Sequence, residues 1–238
     1  MNPSATSSYP KHLGVLVDGN RRWAKERGLS TKEGHAAGAA RVVDLLHWCA
    51  ELGIEDVTLY LLSTENLKRP AEELVGLTAV IENLLDQLLA AQTGPIYAVG
   101  NLSLLPTGLR EHLEKTIRLS SSTRGVRINL AVGYGGRQEI VDAVKELLRD
   151  AQRAGTDLKS LEQSLSTADI ASRLYTRHLP EPDLLIRTSG EQRLSGFLTW
   201  QSAYSEFYFC PALWPDFSRE DLVAALEDYS RRHRRFGS

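Results

Sequence analysis

The chain has 238 residues, of which 42% are hydrophobic and 24% charged, a composition typical of a globular protein with a sizeable core. Its 28 lysines and arginines oppose 30 aspartates and glutamates, so the formal net charge is −2. This balance argues against a general nucleic-acid binder, which needs a surplus of cations. The two cysteines, Cys49 and Cys210, lack metal-ligand spacing, and we expect them to be small buried apolar residues.

The first eleven residues, MNPSATSSYPK, are polar and rich in serine and proline, and they contain no apolar signal-peptide core. We expect residues 1–11 to be a disordered leader and residues 12–238 to form one domain. No segment of the sequence has the uninterrupted apolar length of a membrane span. We therefore expect a cytoplasmic protein.

Short β-branched apolar runs alternate along the chain with longer segments whose apolar residues recur at three- and four-residue steps. This alternation predicts an α/β fold, a mostly parallel central sheet flanked by helices. In chain order we predict a strand at 12–17, a helix at 36–52, a strand at 57–62, a helix at 71–92, a strand at 96–99, a helix at 107–121, a strand at 126–132, a helix at 137–154 and a strand at 183–186. Residues 152–166 are polar and predict a surface helix-loop connection.

Four of the predicted strands run directly into polar residues. The segments that follow them are Asp18-Gly19-Asn20, Ser63-Thr64-Glu65-Asn66, Gly133-Tyr134-Gly135-Gly136-Arg137 and Arg187-Thr188-Ser189-Gly190-Glu191. In open α/β sheets, ligands bind beyond the carboxyl ends of the strands. We therefore expect these four segments to surround one pocket.

The segment after the first strand combines an acid, a glycine and two arginines. Gly19 would let the backbone approach a ligand closely, and Arg21 and Arg22 are donors suited to phosphate oxygens. An acid beside phosphate needs a divalent cation between them, and Mg²⁺ binds carboxylate and phosphate oxygens together. A simple helix N-cap at Asp18 explains the acid equally well, so both interpretations stay open.

Residues 187–195, RTSGEQRLS, form either a second phosphate cradle or an exposed charged turn. Glu206 lies among aromatic residues, where a carboxylate needs a partner, and a metal ion shared with Asp18 would supply one. The broad apolar face of the helix at 71–92 either packs on the sheet or lines an apolar tunnel. The basic run at 231–237 is typical of a solvated helix end. The sequence contains no nucleotide-binding G-x-x-x-x-G-K-[ST] motif.

Together these motifs resemble those of the cis-prenyltransferases, the undecaprenyl diphosphate synthase family. The resemblance extends from residue 12 to 237 and includes Asp18–Trp23, Gly34-His35, Ser63–Asn66 with Arg69-Pro70, Gly133–Arg137, Arg187–Arg193 and Tyr204-Ser205-Glu206. It implies a homodimer that uses Mg²⁺ to join isopentenyl diphosphate to an allylic diphosphate. It also implies no nucleic-acid partner, and peripheral membrane association only if the product is long.

The resemblance assigns roles to individual residues. Catalytic roles go to Asp18, Ser63 and Asn66, and the metal ligands would be Asp18 and Glu206. The substrate-binding residues it implies are Gly19, Asn20, Arg21, Arg22, Trp23, His35, Thr64, Arg69, Arg187, Arg193 and Ser195.

The chain departs from the family pattern at four positions. Arg21 stands where a small residue is usual, Thr31 replaces an arginine that binds diphosphate, and Leu67 replaces a tryptophan of long-chain members. Leu61 stands where long-chain members often have alanine and would obstruct the hydrocarbon tunnel. We therefore predict a short product near C15, with geranyl diphosphate as the primer. A long-chain synthase, a head-to-middle condensing relative and a non-catalytic partner subunit remain as alternatives.

Overall fold

The protein is described here from a computed structural model, which covers residues 9–232. Residues 1–8 of the predicted leader and residues 233–238 of the basic run lie outside the described residues. Both cysteines, Cys49 and Cys210, are buried with free thiols, as expected from the sequence.

One parallel sheet of six strands organises the described chain. The strands are β1 (His12–Leu16), β2 (Asp56–Ser63), β3 (Ile96–Val99), β4 (Arg127–Tyr134), β5 (Leu184–Arg187) and β6 (Glu206–Phe209), in the order β3-β4-β2-β1-β5-β6. Every neighbouring pair is parallel, which confirms the predicted fold class. Strand β6 was not predicted. It is a short edge strand whose residues are all partly exposed, so it lacks the apolar run that marks the inner strands.

Eight α-helices accompany the sheet in residues 9–232. They are α1 (Asn20–Glu26), α2 (Thr31–Glu51), α3 (Ala71–Ala91), α4 (Thr107–Ser120), α5 (Gly136–Ala154), α6 (Leu158–Ser164), α7 (Thr167–Ala171) and α8 (Arg219–Arg231). Helix α2 begins five residues before the predicted start because Ser30 and Glu33 form a capping box there. Helix α6 lies in the predicted surface connection, whereas α7 and α8 were not predicted.

The core has two parts, one on each face of the sheet. Alternate strand residues such as Leu13 and Val15 pack with apolar residues of α2, α3, α4 and α8. On the opposite face, Leu16 and Tyr134 pack with Phe197. Period-two alternation along buried strands places these residues on opposite faces.

Helix α3 is long and apolar enough to cross a membrane, judged by length and composition only, although it contains Glu82 and Asp86. The two acids interrupt its apolar run, so this helix does not contradict the expectation that the chain has no uninterrupted apolar segment of that length. A core helix of a globular protein passes the same test, although only 22% of the apolar window of α3 is buried. The buried residues of α3 are Leu77, Ile81, Leu84, Leu85 and Leu88.

Two glycine-to-alanine substitutions should change stability in opposite directions. A Cβ at buried Gly94 would lie 1.9 Å from the Val126 carbonyl oxygen, whereas a Cβ at Gly76 in α3 meets nothing within 4 Å. We expect Gly94→Ala to lower the free energy of unfolding by roughly 2 kcal/mol and Gly76→Ala to raise it by about 0.5–1 kcal/mol. Urea denaturation followed by circular dichroism measures both, and an unchanged midpoint for Gly94→Ala would contradict the packing described.

Candidate active site

A cavity of about 420 Å³ opens at the carboxyl ends of β1, β2 and β5. Its lining includes most of the residues predicted from the sequence: Asp18, Gly19, Asn20, Arg21, Arg22, His35, Leu61, Ser63, Asn66, Arg69, Arg187 and Ser195. We call it the catalytic pocket. The pocket lies at strands β1 and β5, where the connections that follow the two strands lead to opposite sides of the sheet. This is the usual ligand position in open α/β sheets. Parallel strands therefore collect side chains that are distant in sequence.

Arg187, at the end of β5, links three parts of the catalytic pocket. Its Nη2 donates to Asp18 Oδ2 at 2.8 Å, and its Nη1 donates to Ser195 Oγ at 2.9 Å and to the Arg193 carbonyl. The Arg187 side chain is only 6% exposed, whereas that of Asp18 is 38% exposed. The carboxylate therefore faces both the buried guanidinium and the open pocket.

Arg187 also determines the charge of Asp18. Burial by itself would raise the pKa of the Asp18 carboxyl, but the hydrogen bond and positive charge of Arg187, together with a hydrogen bond from Ser189 and the charge of Arg22, outweigh burial and lower this pKa. Thr188 fixes the Asp18 backbone, because its Oγ1 accepts from the Asp18 N–H at 3.0 Å and donates to the Asp18 carbonyl at 2.7 Å. Asp18 is thus held as an anion with an exposed carboxylate oxygen.

The turn after Asp18 depends on glycine. Gly19 has φ 112°, and a Cβ there would lie 3.0 Å from the Leu213 backbone. Only glycine adopts this conformation without strain. Helix α1 follows at once, which brings Asn20, Arg21 and Arg22 to the pocket.

The exposed arginines of the pocket are already paired with acids that sequence reasoning did not assign. Glu73 Oε1 lies 2.7 Å from Arg69 Nη1 and 3.4 Å from Arg21 Nη1. Glu191 lies 3.7 Å from Arg22 and also pairs with Arg193. The four-residue step from Arg69 to Glu73 is a local signal for the first pair, although Arg69 itself precedes α3 (Ala71–Ala91). The other pairs join distant segments and leave no local signal. An anionic ligand has to replace these carboxylates.

His35 lies beside the same cations. Burial, and then the charges of Arg69 and Arg21, lower the pKa of its imidazole, so the ring is neutral at pH 7. A neutral ring donates one hydrogen bond and adds no charge.

Ser63 and Asn66 close the turn that follows β2. Asn66 Oδ1 accepts from the Ser63 N–H at 3.1 Å, and Ser63 Oγ accepts from the Asn66 N–H at 3.0 Å. Both residues line the catalytic pocket. Each side chain is thereby held in one orientation before any ligand arrives.

The predicted apolar tunnel corresponds to a small cavity of about 50 Å³ between α2 and α3. Its lining is largely aliphatic: Val17, Ala39, Val42, Leu61, Leu77, Val80, Ile81 and Leu84, with Asn20, His35, Gly38 and Trp214. Five of these residues also line the catalytic pocket and form the boundary between the two spaces: Val17, Asn20, His35, Leu61 and Leu77. The charged and apolar compartments therefore adjoin, with Leu61 between them.

Three predicted substrate-binding residues lie outside the lining of the catalytic pocket. Trp23 Nε1 donates to Asp216 Oδ1 at 2.6 Å. Thr64 faces a neighbouring cavity, and the Arg193 side chain is 62% exposed, although its carbonyl accepts from Arg187.

Glu206 is placed differently from the prediction. It begins β6 opposite Leu184, which pairs with Leu13 at the start of β1, whereas Asp18 follows the end of β1. Five residues of strand separate the two levels by about 15 Å. The partner of Glu206 is Arg232, at 2.7 Å. The prediction that Asp18 and Glu206 of one chain share a metal ion is therefore wrong, because the two carboxylates lie at opposite ends of the parallel strands.

Within residues 9–232, no group of three or more histidines, cysteines, aspartates or glutamates could hold a metal ion. Asp18 nevertheless fits Mg²⁺ that arrives with a diphosphate, because this ion binds one or two carboxylates together with substrate phosphates and water. The Nε of Arg187 is buried and has no hydrogen-bond acceptor in the described residues, which also fits an anionic ligand.

Comparison with known proteins places these features in a family. Residues 16–237 match the sequence profile of a family of prenyltransferases described as undecaprenyl diphosphate synthase. A (2Z,6E)-farnesyl diphosphate synthase of Thermobifida fusca is 52% identical over 229 residues, 96% of this chain and 90% of that protein. A short-chain Z-isoprenyl diphosphate synthase of Mycobacterium bovis is 45% identical over 236 residues, 98% and 90% of the two chains.

A solved structure is also similar. Lavandulyl diphosphate synthase from Lavandula x intermedia, in complex with dimethylallyl diphosphate, superposes with a TM-score of 0.91 at 34% sequence identity, covering 98% of this chain and 100% of that chain. Both the sequence and the fold of this chain are therefore shared with proteins that act on prenyl diphosphates.

Removing the Arg187 charge should raise the pKa of Asp18. In Arg187→Met the burial that disfavours the carboxylate remains while the strongest opposing contribution is lost, so we expect the Asp18 pKa to rise from its lowered position. Carboxyl ¹³C NMR titration, with Asp18→Asn for assignment, measures it. Asp157 is an internal control, since hydrogen bonds from its own helix lower its pKa. An unshifted Asp18 would show that Arg187 does not hold it ionised.

Proposed function

Because the chain belongs to the undecaprenyl diphosphate synthase family of prenyltransferases, we propose that it joins isopentenyl diphosphate to a short allylic diphosphate, geranyl diphosphate above all, and releases a Z-prenyl diphosphate near C15. The observation that carries this proposal is the boundary at Leu61. There a pocket rich in arginine, with one ionised aspartate, adjoins a small aliphatic cavity. An allylic diphosphate has these two parts, a charged head and a hydrocarbon tail.

We assign the allylic head to Gly19, Asn20, Arg21, Arg22 and Arg69, with His35 as a neutral donor. Its oxygens would replace Glu73 as the partner of Arg69 and Arg21, since a diphosphate carries more negative charge than one carboxylate. The tail would then enter the aliphatic cavity past Leu61. This orientation places the first carbon of the tail beside Asp18.

We assign isopentenyl diphosphate to Arg187 and Ser195, with Arg193 as an exposed cation that can close over it. Arg187 Nη1 already binds Ser195 Oγ at 2.9 Å, so this second cradle is formed before the substrate binds. Two adjoining cradles hold the donor carbon against the acceptor double bond, which is catalysis by positioning. Ser63 and Asn66 line the floor between the cradles and would orient the isopentenyl carbons.

Asp18 would hold Mg²⁺, which when bound neutralises charge on the departing diphosphate. Arg187 keeps Asp18 deprotonated for this role. The Arg21 and Arg22 guanidiniums would stabilise the same departing oxygens from the other side.

The small size of the aliphatic cavity, with Leu61 at its mouth, supports a short product over a long one. A long-chain synthase would need a tunnel continuing beyond Ile81 and Leu84, which close the cavity in this chain. The intact Asp18-Gly19-Asn20 and Ser63–Asn66 segments favour chain elongation over the head-to-middle reaction of a lavandulyl synthase. The same segments argue against a non-catalytic partner subunit.

We further propose a homodimer acting in the cytoplasm, with residues 12–238 as its catalytic domain. Glu206 lies too far from Asp18 of its own chain to share a metal ion. If both carboxylates ligate Mg²⁺, a second copy has to supply Glu206. Strand β6, which carries Glu206, is an edge strand with partly exposed aromatic residues and is available to a second copy.

Product length tests the proposed function directly. Protein, Mg²⁺ and labelled isopentenyl diphosphate are combined separately with dimethylallyl, geranyl and farnesyl diphosphates, and the dephosphorylated products are sized. We expect one Z product near C15 from geranyl diphosphate. Leu61→Ala should lengthen the product by one or more isoprene units because it opens the mouth of the aliphatic cavity.

The matched control is Leu89→Ala, the same change in α3 at a residue outside the cavity lining, and it should leave product length unchanged. A ladder reaching C50 from the wild-type protein would contradict the short product and leave the reaction intact. No product from any primer would contradict the proposed function.

Complementation tests the shared metal site. We expect Asp18→Ala alone to lose about 10²–10³-fold in turnover, because the departing charge loses its stabilisation, and Glu206→Gln alone to be impaired. When the two variants are coexpressed and pair at random, half of the dimers are mixed, and each mixed dimer has one intact site of its two. Coexpression should therefore restore about a quarter of wild-type turnover. Mixtures of separately folded variants provide the baseline. Mixed dimers with no recovery would mean that Glu206 acts only within its own chain.

A further inference from the structure

A second cavity adjoins the catalytic pocket at the carboxyl edge of the sheet. It encloses about 840 Å³, within the range of about 300–1,000 Å³ that is usual for small-molecule sites. The segments that follow β2, β3 and β4, together with the loop after β5, form its walls. Glu65 and Ser195 line both spaces, so a ligand in the second cavity lies next to the isopentenyl cradle.

The second cavity is suited to an anion. Lys68 and Arg137 line it, both are exposed, and neither forms an ion pair within residues 9–232. Glu65 is the acidic residue of this lining, so the cations outnumber it by two to one. In the catalytic pocket, by contrast, Arg21, Arg22 and Arg69 each face a carboxylate. The cations of the second cavity are thus freer to bind a ligand.

The Gly135-Gly136 pair brings the start of α5 against the loop that carries Ser195. The Gly136 N–H donates to the Gly196 carbonyl at 2.8 Å, and a Cβ at Gly136 would lie 2.3 Å from Thr199 Oγ1. This close approach places Arg137, the next residue, at the cavity. The sequence motif of residues 133–137, which has no role in the catalytic pocket, is thereby explained.

The apolar part of the lining is aliphatic. Leu67 and Leu104 line the cavity, and Leu104 is 46% exposed. No aromatic ring belongs to the described lining, so a nucleobase would have no surface on which to stack. Two cations and two leucines match a diphosphate that carries a short hydrocarbon.

We propose that this cavity is a second, non-catalytic site for isopentenyl diphosphate, with the diphosphate on Lys68 and Arg137 and the hydrocarbon over Leu67 and Leu104. The inference rests on the proposed function, which makes this substrate the ligand that the protein meets. Ser195 lines both spaces, so a molecule held there is separated by this one residue from the isopentenyl cradle that it enters next.

Equilibrium dialysis of labelled isopentenyl diphosphate against the full chain tests this. Mg²⁺ is present and allylic diphosphate is omitted, so no condensation occurs. Both catalytic cradles can take this ligand, so the decisive quantity is the difference between variants. Lys68→Ala/Arg137→Ala should bind one molecule fewer per chain than the wild type. Lys115→Ala/Arg149→Ala, which removes two exposed cations elsewhere, should bind the wild-type number. Equal numbers for all three proteins would overturn the proposal.

A second comparison tests the hydrocarbon contact. At the site that Lys68→Ala/Arg137→Ala removes, isopentenyl diphosphate should bind about tenfold more tightly than inorganic diphosphate, because its hydrocarbon is partly buried on leucine. Equal affinities would mean a simple anion site and would contradict the assignment. Turnover is measured on the same preparations. A wild-type protein that binds the extra molecule but makes no product would contradict the proposed function and support the second site.

Discussion

The ion pair between Arg187 and Asp18 is the interaction on which the active site depends. A buried guanidinium is tolerated only when it is paired, and removing one partner of a buried pair typically costs about 3–5 kcal/mol. Arg187 meets this requirement with Asp18, Ser195 and the Arg193 carbonyl, and so joins the end of β1 to the loop after β5. The same contacts keep Asp18 ionised and place Ser195 beside it. One set of contacts therefore stabilises the carboxyl edge of the sheet and keeps Asp18 able to bind a cationic ligand.

The parallel sheet explains why charge and hydrocarbon meet at one place. All six strands end at the same edge, so their polar segments gather above it, whereas the helices on one face leave a gap between α2 and α3 below it. Leu61 lies near the end of β2 at the junction of the two spaces. Neighbouring Tyr60 packs on the other face, against Tyr134 and Phe197. Strand alternation thus directs Leu61 to the aliphatic cavity and Tyr60 to the opposite face, where its hydroxyl donates to the Ser195 carbonyl.

The sequence predicted the fold well where the physical signal is local. Five strands and four long helices follow from apolar periodicity, and the S-x-x-E box at Ser30 and Glu33 could have given the true start of α2. Edge strand β6 is half exposed and has no such signal. The error at Glu206 has a related cause: an acid among aromatic residues indicates a need for a partner, but only strand register shows at which edge it lies. The clustering of the segments after β1, β2 and β5 was predicted correctly, but the segment 133–137 was expected in the same pocket and lines the neighbouring cavity instead. The pairings of Arg21 and Arg22 with acids from distant segments depend on tertiary structure.

In the proposed function, the limit on product length follows from core packing. Ile81 and Leu84, which line the aliphatic cavity but not the catalytic pocket, belong to the main core, and Val80 packs against it. Truncating a fully buried leucine typically costs about 2–5 kcal/mol, so enlarging the cavity from within threatens the fold. Leu61 is only partly buried, because it also faces the catalytic pocket. Position 61 is therefore a place where the hydrocarbon space could be shortened or extended at a small loss of stability, and in the proposed function a leucine there would set a short product without altering the charged site above it.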